Sequence, residues 1–111
     1  MPFIDTATIP VKEPRPGWKG RFFSSANMTF GHYEIEAGAW IHAHDHPNEE
    51  VWHVLEGELE VTIAGETRIA GPGSVAVVPP NTVHSVKALT DGRAIVVDHP
   101  RRESIGGIRT D

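Results

Sequence analysis

The sequence predicts an all-β domain, and three observations carry that expectation. Apolar and polar residues alternate over short runs, the period of a strand with one face buried. Eleven glycines and nine prolines break these runs every eight to twelve residues. No stretch keeps a 3.6-residue apolar period over ten residues. Many short strands with such turns indicate a sandwich or barrel.

The elements follow in order along the chain. Pro10, Pro14, Pro16 and Gly17 make the start extended and loop-like. Residues 28–36 alternate, with Tyr33 and Ile35 on one face and His32, Glu34 and Glu36 on the other. Ala37-Gly38 marks a turn. Residues 50–56 and 58–63 read as two strands split by Gly57, the second with Leu59, Val61 and Ile63 on one face. Ala64-Gly65-Glu66 turns into the short strand TRIA, which ends at Gly71-Pro72-Gly73. SVAVV is a strand, Pro79-Pro80-Asn81 a turn, and TVHSV another strand. Thr90-Asp91-Gly92 turns into RAIVVD. Three regions are expected: an N-terminal arm with strands over 1–27, a barrel over 28–98, and a tail over 99–111.

Bulk properties narrow the function. A chain of 111 residues makes one domain and one core; roughly two thirds of its unfolded surface can be buried. The formal net charge of −5 argues against nucleic acid or an anionic membrane as the main partner, because both attract positive fields. With no cysteine, disulfides, thiolate metal sites and a cysteine nucleophile are excluded. That composition, no apolar leader at the N-terminus and no run as long as a membrane span together predict a cytoplasmic protein.

The stretch HAHDHPNEEVWHVLEG, residues 42–57, carries the chemistry. Alternate residues of a strand share a face, so imidazoles at His44 and His46 can lean onto one ion, and His42 has the same parity. Glu50 would lie about 13 Å from His46 on a straight strand, at roughly 3.3 Å per residue. Pro47 cannot join a ladder and Asn48 favours turns, so a corner there would bring Glu50 back to the same ion. His84 adds another strand histidine. Any one of these residues alone would be an ordinary surface side chain; the set points to one metal.

The chain resembles the cupins on two motifs in register. The first is Gly38, five residues, His44-Asp45-His46, three residues, Glu50, six residues, Gly57. The second is Gly73, five residues, Pro79-Pro80-Asn81, two residues, His84. Asn81 stands where the family has glycine, and Asn is the residue that best tolerates the positive φ of such a turn. The resemblance covers about residues 28–98. It implies the cupin double-stranded β-helix, a single-domain jelly-roll barrel, with His44, His46, Glu50 and His84 around one divalent transition metal. An N₃O donor set suits Fe, Mn, Ni, Cu or Zn.

Other residues are candidates for the walls and mouth of the site. Trp52 shares parity with Glu50 and is expected as a wall of the site. Tyr33, Ile35, Trp40 and Val96 are possible pocket residues, and His42 a residue of the pocket mouth. His53 has the opposite parity to Glu50 and is expected outside. Glu58 and Glu60 read as a solvated face, and Ser24-Ser25 has no evident base to activate it.

The full donor set is the one that quercetin-type dioxygenase cupins commonly carry. This resemblance implies a metal-dependent dioxygenase acting on a small oxygenated metabolite, with Glu50 as the catalytic carboxylate. The chain length and the ending Asp98-His99-Pro100-Arg101-Arg102-Glu103 are also similar to small cupins that linearise unsaturated uronates, which implies an isomerase or lyase. Two positions depart from that group: Glu50 stands where it tends to carry Gln, and Val96 stands in the place of its catalytic Asp. A cupin that binds a sugar or small acid without turnover is the non-enzymatic alternative. A homodimer is expected, because small one-barrel cupins pair near their N-termini and FIDTATIPV and RFFSSANMTF are apolar enough to supply an edge.

Overall fold

The computed structural model describes residues 3–110. Apart from one 3₁₀ turn at Thr6–Thr8, capped by the Asp5 side chain, the regular structure is β. The strands are β1 (Lys12–Arg15), β2 (Trp18–Ser24), β3 (Thr29–Ile35), β4 (Trp40–His44), β5 (Glu49–Glu56), β6 (Leu59–Ile63), β7 (Glu66–Ala70), β8 (Val75–Val78), β9 (His84–Ala88), β10 (Gly92–His99), β11 (Ser104–Ile105) and β12 (Ile108–Arg109).

Ten strands build two facing antiparallel sheets. One has the order β1-β2-β3-β10-β5-β8 and the other β4-β9-β6-β7. Strands that alternate in sequence between the sheets wrap the chain around one core, the jelly-roll arrangement. Gly57 makes the corner from β5 toward β6 at φ +79, where an added Cβ would collide with the Asp91 carbonyl oxygen. Only glycine fits both conditions.

Alternation sends one face of each strand inward. Trp18, Tyr33 and Trp52 pack there with ring centroids 5.7–6.3 Å apart, and Val54, Leu59, Val78 and Val86 complete the buried layer. The outer face of the larger sheet carries an apolar row across five strands. Phe23, Phe30, Val97, Val51 and Val77 are successive register partners.

Both ends of the chain belong to the folded body more than the sequence suggests. β2 pairs with β3 along its whole length and contributes Trp18, fully buried, so no structural break falls at residue 28. FIDTATIPV forms the 3₁₀ turn, because Asp5 captures the Ala7 N–H. The segment read as a tail contains the β11–β12 hairpin and buries Ile105 and Thr110. Thr29, also buried, ties that segment down by accepting from the Arg102 N–H at 2.9 Å and donating to its carbonyl. Met1, Pro2 and Asp111 lie outside the described residues. Among those described, no helix is long and apolar enough to cross a membrane.

Candidate metal centre

Three imidazoles converge between the sheets because of local backbone events on β4 and β9. The β4–β9 register runs Ile41 opposite Val86 and His44 opposite His84. Three steps on one strand against two on the other make a β-bulge. The extra residue turns His44 to the side that Ile41 occupies and leaves His42 outside. This corrects the period-two reading of His42, His44 and His46. His42 is exposed and packs on Trp40, ring centroids 4.1 Å apart.

β4 ends at His44, so the backbone carries His46 past the sheet before the bend at Pro47-Asn48. Two contacts hold that bend. The Asn48 amide donates to the Pro100 carbonyl at 2.6 Å, and the Asn81 N–H donates to the His46 carbonyl at 2.8 Å. Asn81 takes φ 58, the left-handed geometry its turn requires. The bend returns the chain along β5, where Glu50 points inward.

Each imidazole is oriented the same way. Nδ1 of His44 meets the His42 carbonyl at 2.8 Å, that of His46 the Asn48 carbonyl at 3.1 Å, and that of His84 the Thr82 carbonyl at 2.8 Å. Donation to a carbonyl fixes the proton on Nδ1 and leaves Nε2 as a lone-pair donor. Donor atoms of His44, His46 and His84 all lie within 4.8 Å of one another, and so do those of His46, Glu50 and Asp98. Ligands about 2.1 Å from one ion sit roughly 3–4 Å apart, so the cluster is gathered close to that span.

Glu50 is 4% exposed and is held from several sides. Trp52 donates its indole N–H to Oε1 at 2.6 Å. His84 Nε2 lies 3.4 Å from Oε1, and His46 Nε2 lies 3.4 Å from Oε2. Arg102 Nη1 stands 3.6 Å from Oε2 and 3.9 Å from Asp98 Oδ2. Burial alone would raise the Glu50 pKa, but the polar side chains around it, His46, His84, Asp98 and Trp52, outweigh it and hold the carboxyl well below its usual range. Asp98 receives the opposite treatment: burial and the Glu50 charge push it up to about 9. Two acids in one dry pocket cannot both ionise cheaply, so the proton stays on Asp98. Burial lowers the His44 pKa. For His84 burial also lowers it, but the Glu50 carboxylate and the Thr82 carbonyl prevail and the net shift is upward.

The donor set meets a test of fit. Nε2 of His46 and Nε2 of His84 are buried and make no hydrogen bond of proper geometry, and neither does Asp98 Oδ1. Buried nitrogen lone pairs are costly unless a proton donor or a cation meets them. The cavity that His84 and Asp98 line together with His44 and Glu50 is about 10 Å³, the room for one ion or one water.

Tyr33, Trp52 and Val96 line this cavity, and Ile35 is a core residue away from it. Trp40 is 51% exposed and faces away, because Ile41 takes the inward position beside it. His53 is exposed on the outer face. Sequence reading missed three charged residues of the cavity, Asp98, Arg102 and Arg15. Asp98 had a usable signal: it follows Val96 by two residues and so shares its inward face. Arg102 had none, since it sits in irregular chain.

Known proteins share this fold. Residues 31–100 match the cupin domain family model. An uncharacterized protein of Streptomyces coelicolor is 32% identical over 81 residues, covering 72% of this chain and 77% of that protein. Among solved structures, an RmlC-like cupin from Shewanella frigidimarina superposes with TM-score 0.85 at 24% identity, covering 91% of this chain and 92% of that one. KdgF from Halomonas sp. superposes with TM-score 0.84 at 26% identity, covering 91% and 94%. Oxalate decarboxylase of Bacillus subtilis, with Mn(II) centres, shares the fold at TM-score 0.76 and 21% identity; the match covers 87% of this chain and 29% of that one.

Proposed function

The chain belongs to the cupin family, and from that premise we propose that it is a metal-dependent enzyme acting on a small oxygenated metabolite. One observation carries the reading: three imidazoles pinned through Nδ1 gather donor atoms within 4.8 Å of one another, and the Nε2 atoms of His46 and His84 are buried with no hydrogen bond. His44, His46, Glu50 and His84 would hold one divalent transition metal. Such an ion, when bound, supplies a Lewis acid that polarises an oxygen of the substrate.

The chain's own residues divide the remaining work. Glu50 balances charge and accepts the Trp52 indole N–H, which fixes its position. Tyr33, Trp52 and Val96 exclude water from the cavity, which strengthens every polar contact inside it. Arg102 braces Glu50 and Asp98 together. Asp98 offers Oδ1, free of any hydrogen bond, as a point for holding or moving a proton.

Dioxygenase chemistry is the reading that rests on the complete three-histidine, one-glutamate set. Asp98 favours the second reading, an isomerase or lyase acting on a sugar or uronate derivative by proton transfer. It supplies an inward acid on β10 two residues beyond Val96, so the reaction does not lack a proton carrier. We read the cytoplasm as the location, on the absence of cysteine.

Elemental analysis of protein purified without added metal tests the first claim; one divalent ion per chain is expected, and a metal-free protein that takes up none overturns it. An oxygen electrode with flavonols, diketones, catechols and unsaturated uronates sorts the reactions. Oxygen uptake supports the dioxygenase, and uronate loss without oxygen uptake supports the isomerase or lyase. Ligand binding without turnover leaves a binding protein.

A further inference from the structure

The metal cavity has a neighbour. β1 and β4 are edge strands of the two sheets, and a groove runs along the seam between them, bordered by Pro16, Gly38 and Ala43. Cavity and groove share Arg15, Ile41 and His44. His44 is the half-buried imidazole of the set, whereas His84 is 1% exposed, so the donors open toward the groove. Of the three shared residues, Ile41 is core and the His44 ring is fixed by its own carbonyl contact. Arg15 alone among them is long and carries a charge.

Arg15 is directed there by register. It pairs with Trp18, whose indole is fully buried, and this turns Arg15 toward the inner face at the edge of the sheet. Among the described residues its guanidinium has no ion pair and no hydrogen bond, whereas Arg102 is engaged by Glu50 and Asp98. A chain of net charge −5 therefore keeps an uncommitted cation at the threshold of the metal cavity. A divalent ion and two arginines there would outweigh the two carboxyl groups, so the local field favours an anion. The guanidinium fork matches a carboxylate with two parallel hydrogen bonds. The fork also fits a phosphate, but the converging backbone N–H groups of a helix N-terminus that favour phosphate further do not border this cavity.

We propose that Arg15 is the substrate anchor, gripping the carboxylate of a small organic acid that enters along the β1–β4 seam and presents its oxygen to the metal donors. The inference rests on the metal-enzyme reading above and names its substrate class. Calorimetric titration of metal-loaded protein tests it, with glucuronate and pyruvate as probes, glucose as the neutral counterpart and inorganic phosphate as the competing anion. Wild type is expected to bind at least one of the two carboxylates, and neither glucose nor phosphate comparably. Arg15→Gln should weaken that binding at least about tenfold with metal content unchanged, and Arg15→Lys should recover part of it by charge alone. Equal affinity in wild type and Arg15→Gln, no carboxylate binding at all, or a preference for phosphate would each overturn the anchor. If the wild type takes up no metal, the metal-enzyme reading falls, and the same comparison on metal-free protein still decides whether Arg15 binds the acid.

Discussion

Asp98 stands directly opposite Glu50 across the β10–β5 ladder, and both side chains point into the same buried cavity. The two acids therefore titrate against each other. Asp98, raised to about 9, holds its proton in the folded protein at pH values where the unfolded chain has lost it. A group of that kind favours folding fully below its unfolded pKa of about 3.9 and loses the contribution as pH climbs toward 9. Metal-free protein should thus become less stable between about pH 5 and about pH 9, and Asp98→Asn should flatten that slope and raise the melting temperature at the alkaline end. Thermal unfolding after chelation measures it; parallel slopes in wild type and variant would refute the shared proton.

The four donors should not be equivalent. His84→Ala and His44→Ala should strip most of the metal, because each removes a lone pair oriented by its backbone carbonyl. His53→Ala, on the outer face, should leave it intact. Glu50→Gln keeps shape and one oxygen donor but removes the charge. It should retain much of the metal and lose at least about tenfold in turnover, about 1.4 kcal/mol of barrier. Metal content by mass spectrometry beside rate assays gives the comparison, and full occupancy in His84→Ala would reject the site.

Acid should release the ion in a defined way. Imidazole ligands must be neutral, and protons compete as pH falls through the histidine range near 6.5. His84 is raised by Glu50 and the Thr82 carbonyl, so protons reach it earlier than His44, which burial lowers. Metal affinity followed from about pH 8 to about pH 5 should fall steadily on the acid side. NMR of metal-free protein should show His84 titrating at higher pH than His44; the reverse order would contradict this electrostatic account.

Thr29 anchors the C-terminal segment through both backbone groups of Arg102, while Thr110 donates to the same carbonyl at 2.6 Å. Thr29→Val keeps the volume and leaves the Arg102 N–H without its partner. Urea unfolding should show a loss of about 1–3 kcal/mol. No loss would mean that water or another group satisfies that N–H equally well.

The apolar row on the outer face of the six-stranded sheet is where we expect a second copy to pack. Phe23 and Phe30 stack at 4.9 Å within it, and Val77 is 52% exposed. Light scattering should give twice the chain mass, and Phe23→Glu should shift the protein toward monomer. A wild-type mass near 12.1 kDa would reject the dimer.

Local chemistry made much of this protein legible before any coordinates. Alternation and glycine spacing indicate an all-β fold, because a strand's period depends only on which face is buried. The spacing of Gly38, His44, His46, Glu50 and His84 determines the family and the histidines that meet, since those positions sit on short strands whose register a few turn residues fix. Parity with Glu50 also places Trp52 at the cavity. Tertiary structure decided what parity cannot. The bulge between Ile41 and His44 turns His42 and Trp40 outward, because one extra residue reverses every assignment upstream of it. Asp98 gains its role only by lying across from Glu50, a pairing 48 residues distant in sequence. Arg15 and Arg102 come from an edge strand and a C-terminal segment whose paths are set by Trp18 and Thr29, and the packing of those two residues is a long-range property that no local pattern encodes.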